Sequence, residues 1–96
     1  MNPKDWKQLK QELINRGFKV SVKGKFKKEY IAEKDFVIVN ILRGGLSNCG
    51  SQIAMYVFDP KENRMVLDDE NSHYQNLLSD LDCLLEDYQE FGSFVY

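Results

Sequence analysis

Seven apolar side chains, Tyr74, Leu77, Leu78, Leu81, Leu84, Leu85 and Tyr88, recur at helical spacing towards the end of this 96-residue chain and fall within roughly a 120° arc of one helix. A stripe that wide must be buried, so the rest of the chain has to supply an apolar surface to receive it. Ser72 and Gln75 have the spacing of a capping box, and Gly92 reads as the stop.

The receiving surface reads as a sheet. Phe36-Val37-Ile38-Val39-Asn40-Ile41-Leu42 is apolar on both faces, which suits a central strand. Gln52 to Phe58 is similar, and Asp59-Pro60-Lys61-Glu62-Asn63 is a turn by composition. Met65-Val66-Leu67 then reads as a short return strand. Earlier, Phe18, Val20 and Val22 alternate with Lys19, Ser21 and Lys23, the pattern of a half-buried strand. Lys23-Gly24-Lys25 marks a turn, and Phe26 to Ile31 is compatible with a further strand.

A first helix precedes these strands. Asn2 is placed to cap it, Pro3 suits the first helical position, and Trp6, Leu9, Leu13 and Ile14 form its apolar side. Arg16-Gly17 is a stop signal. The expectation is one α+β domain over residues 1–96: an N-terminal helix, a three- or four-stranded antiparallel sheet, and a C-terminal amphipathic acidic helix. Two helices are few to cover both faces of strands this apolar. Either both lie on one face, leaving the other to a partner or a second copy of the chain, or they straddle the sheet.

Charge is divided along the chain. Residues 1–34 hold ten basic and four acidic side chains, a net of +6, whereas Met65 to Tyr96 holds eight acids and no Lys or Arg. Packing of the two ends side by side would neutralise part of this. The remainder bears on partners rather than on fold. Asp80, Asp82, Glu86, Asp87 and Glu90 lie away from the leucine stripe, and Asp68, Asp69 and Glu70 precede the helix. Surfaces selected only for solubility mix signs. A surface of one sign steers a protein towards a basic cleft on a larger protein, and these eight acids are the candidate partner-binding residues. The alternative is a nucleic-acid-binding module built on Lys19, Lys23, Lys25, Lys27 and Lys28, with Phe18, Phe26 and Tyr30 interleaved. Lysines on an edge strand also serve to block edge-to-edge pairing.

Catalytic signatures are weak. His73 is the sole histidine and follows a capping serine, a solvated position. Cys49, in the Gly44–Gly50 connection, is the one candidate nucleophile, but its spacing to His73 matches no hydrolase pattern. The same glycines lack the Lys and hydroxyl of a phosphate loop. Asp68-Asp69-Glu70 lacks the alternating ligands of a calcium loop, and no His/Cys pair has zinc spacing. No catalytic residue, metal or cofactor is assigned. Two cysteines, Cys49 and Cys83, without an apolar leader behind Met1 or a run long enough to span a bilayer, favour a reducing, cytoplasmic setting and free thiols.

The layout resembles the small anti-CRISPR inhibitors carried by phages and mobile elements, several of which are compact α/β proteins that place acidic surfaces in the DNA-binding groove of Cas9. Met1-Asn2-Pro3-Lys4-Asp5-Trp6 through Arg16-Gly17-Phe18-Lys19-Val20-Ser21-Val22-Lys23-Gly24 is similar to the helix and strand that open some of them, and Tyr74 to Glu90 is similar in its dense carboxylates. The likeness covers about half the chain and lies in layout and composition. It implies a DNA-mimicking inhibitor of a nuclease. The basic stretch Lys19 to Lys28 departs from an all-acidic mimic.

Overall fold

The computed structural model describes residues 3–24, 28–43 and 53–94. The cap expected at Asn2, the lysines at 25 and 27, Phe26, Cys49 with its Gly44–Gly50 connection, and Val95 and Tyr96 lie outside them.

Helix α1 spans Pro3–Asn15, with Asp5 in its first turn. It ends in a Schellman motif. The N–H of Phe18 reaches the Leu13 carbonyl at 3.1 Å, and that of Gly17 reaches Ile14 at 2.9 Å. Gly17 has φ +88°, the left-handed conformation this motif requires. Leu13 and Phe18, which flank the turn, are both buried.

Five strands follow: β1 Lys19–Lys23, β2 Glu29–Lys34, β3 Val37–Arg43, β4 Ile53–Asp59 and β5 Arg64–Asn71. They form one antiparallel meander in the order β1-β2-β3-β4-β5. The strand count is therefore five rather than three or four. The run that is apolar on both faces, β3, does lie at the centre. The return strand β5 is much longer than Met65–Leu67, because Asp68, Asp69 and Glu70 continue the ladder against β4. Acids are poor strand formers, but an edge strand with a wet face accepts them. The β4–β5 turn is held as its composition suggests: Asp59, itself buried, accepts the N–H of Lys61 at 3.0 Å and of Glu62 at 3.2 Å.

Helix α2 spans Tyr74–Phe91 and ends at Gly92, whose φ is +71° and whose N–H meets the Tyr88 carbonyl at 2.7 Å. The capping box expected from Ser72 and Gln75 does not form. His73 is the N-cap residue and makes no side-chain cap. Because β5 runs on to Asn71, Ser72 sits one position too early. The Asn71 Oδ1 instead closes the strand–helix junction, accepting from the His73 N–H at 2.9 Å and from Asn76 Nδ2 at 3.2 Å.

Both helices cover the same face of the sheet. Trp6 of α1 stacks on Tyr30 of β2, with ring centroids 3.9 Å apart and planes within 8°, and the Tyr30 hydroxyl donates to the Trp6 carbonyl at 2.8 Å. Tyr88 of α2 stacks on Phe36, before β3, at 4.1 Å, and Phe94 packs beside both. Phe94 is buried and docks the segment that follows α2, and Arg64 donates to its carbonyl at 2.8 Å. Between the helices and the sheet lie Leu9, Leu13, Val39, Ile41, Met55, Val57, Leu77, Leu81 and Leu84, all without solvent contact. A large aliphatic side chain so placed contributes on the order of 1.5–3 kcal/mol. A bulge at Val57/Phe58 gives β5 one extra residue there, Val66, which joins this core.

Among the described residues, the other face carries no helix. The residues directed to it fall into three cross-strand rows running from β1 to β5: Lys19-Glu33-Ile38-Phe58-Met65, Ser21-Ile31-Asn40-Tyr56-Asp68 and Lys23-Glu29-Leu42-Ala54-Glu70, of which Ala54 alone is buried.

Candidate protein-binding site

The structure separates the eight candidate acids into four groups. Asp82 is spoken for. Arg16 donates from Nε to one of its carboxylate oxygens at 2.7 Å and from Nη2 to the other at 3.0 Å, a fork across the α1–α2 seam. The same guanidinium also holds the Glu12 carboxylate and carbonyl, each at 3.0 Å. The Asp82 hydrogen bond is the main reason the Arg16 charge is held more firmly than in water. Packing of the basic and acidic ends against each other is thus realised at this point, and Asp82 belongs to the fold.

Asp69 and Asp80 form the second group. Asp69 points to the helix side of β5, where its carboxyl meets that of Asp80 on α2. That hydrogen-bonding contact, then burial, raises the Asp69 pKa above the ordinary carboxylate value, against a lowering pull from the Glu70 N–H at 2.9 Å. Asp69 Oδ2 is buried and accepts no hydrogen bond from a donor. The pair stores repulsion between two like charges whenever both are ionised.

Asp68 and Glu70 form the third group. Strand alternation puts them on the opposite, helix-free face, on the edge strand and away from α2. They raise the phenol pKa of their neighbour Tyr56, though its slight desolvation is the larger cause. The three consecutive acids at 68–70 are therefore not a single cluster.

Glu86, Asp87 and Glu90 remain. Helical geometry sets Glu86 and Glu90 near the point opposite the leucine stripe, with Asp87 and Asp80 on the flank facing β5. Glu86, Glu90 and Asp80 are exposed and Asp87 is half-buried. No cation among the described residues pairs with Glu86, Asp87 or Glu90. Exposed Cys83 lies on the same ridge, with a free thiol.

The lysine set fares differently. Lys19 and Lys23 stand directly across β1–β2 from Glu33 and Glu29 on the same face. Each therefore has an opposite charge as its nearest cross-strand neighbour, which weakens a phosphate-tracking stripe. Lys28 is exposed just before β2. His73, read as solvated, is exposed at the start of α2. Among the described residues, no group of three or more His, Cys, Asp or Glu side chains converges to hold a metal, and no helix is long and apolar enough to cross a membrane.

Two features of this surface escaped the sequence. Arg16 was legible only as a helix terminus, since its partner lies 66 positions away. The apolar helix-free face was signalled by strands apolar on both sides, but only the placement of both helices on one face shows which residues it comprises. Comparison with protein-family models, with curated proteins and with solved structures finds no match.

Proposed function

We propose that this chain is a non-catalytic, cytoplasmic protein-binding inhibitor or adaptor that engages a basic surface of a larger protein through the outward ridge of α2. The supporting observation is the one-signed ridge itself. Glu86, Asp87 and Glu90, with Asp80 beside them, have no cation interposed, and the leucine stripe on the far side of the same helix holds them on a rigid element. A basic cleft that normally takes nucleic acid is the complementary surface, and a CRISPR nuclease such as Cas9 is the partner class the sequence resemblance favours. Charges of this kind act chiefly by accelerating encounter, so binding should weaken as salt rises.

The test is binding to a purified Cas9–guide complex, followed by inhibition of its DNA cleavage. The expected result is salt-sensitive binding that is lost in the triple variant Glu86→Lys, Asp87→Lys, Glu90→Lys and kept in Lys19→Glu, Lys23→Glu, Lys28→Glu. Absence of binding by the unaltered protein removes this nuclease as the partner. Binding that survives the triple reversal removes the α2 ridge as the site. A gel shift of duplex DNA or RNA that only the lysine variant loses would favour the nucleic-acid alternative.

A further inference from the structure

The helix-free sheet face presents Ile31, Ile38, Leu42, Tyr56, Phe58 and Met65 around a central Asn40, with Phe58 38% and Met65 48% exposed. Large apolar side chains grouped on one side of a small domain call for a partner. The charges at the two margins say which. The β1 margin carries Lys19 and Lys23, and the β5 margin carries Asp68 and Glu70.

A nucleic acid would meet carboxylates at Glu29, Glu33, Asp68 and Glu70, so phosphate is repelled over most of the face. A second copy of the chain meets something different, depending on the symmetry axis. Rotation by 180° about an axis lying across the strands puts β1 on β1 and β5 on β5, lysine against lysine and acid against acid. Rotation about an axis parallel to the strands, through β3, puts each β1 margin on the other copy's β5 margin. Lys23 then lies opposite Glu70, and does so twice. Ile31 lies opposite Tyr56, while Ile38, Asn40 and Leu42 each meet their own counterpart on the axis.

We infer that the chain forms a two-fold dimer by stacking this open sheet face on that of a second copy, with the axis parallel to β3 and the Lys23 and Glu70 margins paired between copies. The arrangement is the aligned face-to-face packing of two twisted sheets, and its interface is self-complementary as a two-fold demands. Five strands and the three outward rows give a face of roughly 24 by 20 Å, so two copies cover about 1,000 Å² in projection and more once side chains interlock, the scale a specific interface needs. Asn40, whose Nδ2 is held by Glu29 at 2.6 Å, places a polar group at the centre of the apolar patch, where it fixes register. The dimer leaves the α2 ridges on its two outer sides, so it stands independently of the partner proposed for them.

Sedimentation of the full chain across a concentration series tests this, with the thermal midpoint followed in every variant as a check on folding. The unaltered protein is expected to sediment at twice the chain mass at high concentration, and Phe58→Asp as a folded monomer. Lys23→Glu and Glu70→Lys should each weaken self-association by about tenfold or more, since each places two like-charge contacts in its own dimer. Mixing these two variants should restore a dimer, because the mixed species has both contacts attractive. A protein that stays monomeric into the millimolar range, or a dimer indifferent to Phe58→Asp, overturns the proposal. Failure of the two charge variants to rescue each other, with both folded, overturns the axis and with it the arrangement proposed.

Discussion

The guanidinium of Arg16 grips both carboxylate oxygens of Asp82, at 2.7 and 3.0 Å, and so fastens the end of the first helix to the middle of the last. The two side chains are 23% and 44% exposed, so water screens much of their Coulomb attraction and geometry matters more than charge. Arg16→Ala should cost about 1–2 kcal/mol in denaturant titration, since it also loses the bonds to Glu12. Arg16→Lys keeps the charge but not the fork, and should recover less than half of that loss. A double-mutant cycle with Asp82→Ala should show coupling of about 0.5–1 kcal/mol; additivity would mean the fork is not formed in solution.

The Asp69–Asp80 contact makes stability depend on pH in a defined sense. A carboxyl whose folded pKa lies above its unfolded value, about 3.9, takes up a proton on folding. Its contribution is fully present below that unfolded value and is lost as pH rises through the folded one. Asp69→Asn keeps an acceptor for the Glu70 N–H and turns the other oxygen into a donor facing Asp80. The variant should be more stable than the parent at pH 7, by up to about 1 kcal/mol, the size of a close like-charge pair. It should also lose part of the decline in stability above about pH 4. Equal stabilities at neutral pH would show that the carboxyls do not meet.

Leu81, without solvent contact beneath α2, anchors that helix to the sheet. Leu81→Ala should cost about 2–5 kcal/mol, a large share of the stability of so small a domain. A variant Leu81→Asp that melts at the parental temperature would show the packed side of α2 to be misassigned.

The Tyr30 hydroxyl, buried and donating to the Trp6 carbonyl, adds a polar tie within the aromatic stack. Burial is what raises the phenol pKa, against a lowering influence from Arg43, so the group remains a donor through neutral pH. Tyr30→Phe preserves the stack and removes the tie, and should cost about 1 kcal/mol in the same titration. On the outer ridge, Cys83 should label with maleimide in the folded protein at a rate close to that of an unfolded control.

What could be read from the residues follows the range of the interaction. The leucine stripe of α2, the Arg16-Gly17 stop, the Asp59 turn and the doubly apolar β3 are local patterns of period 3.6 or 2, or local turn chemistry, and the structure reproduces them. The length of β5 was hidden because Asp68, Asp69 and Glu70 are poor strand formers in isolation. Pairing with β4 overrides that preference, and the longer strand leaves Ser72 one position short of the N-cap, which His73 occupies without a side-chain cap. The division of the eight acids was hidden for another reason. Whether a carboxylate belongs to the fold or to a surface depends on what lies opposite it in space, and Arg16 and Asp80 come from other elements.

The unbroken order β1 to β5 has a kinetic corollary. Every strand pairs with its immediate successor in the chain, so most of the sheet can assemble by closing short loops, the kind of topology that folds quickly for its β content. Cover for the sheet arrives from its two ends. Helix α1 precedes the first hairpin, whereas α2 follows the last, and until α2 docks the side of β4 that bears Met55 and Val57 faces water. During synthesis the most aggregation-prone interval therefore falls after β5 has emerged and before α2 has. A chaperone that holds exposed apolar strands should bind a nascent chain ending near Asn71 and release one that extends past Gly92.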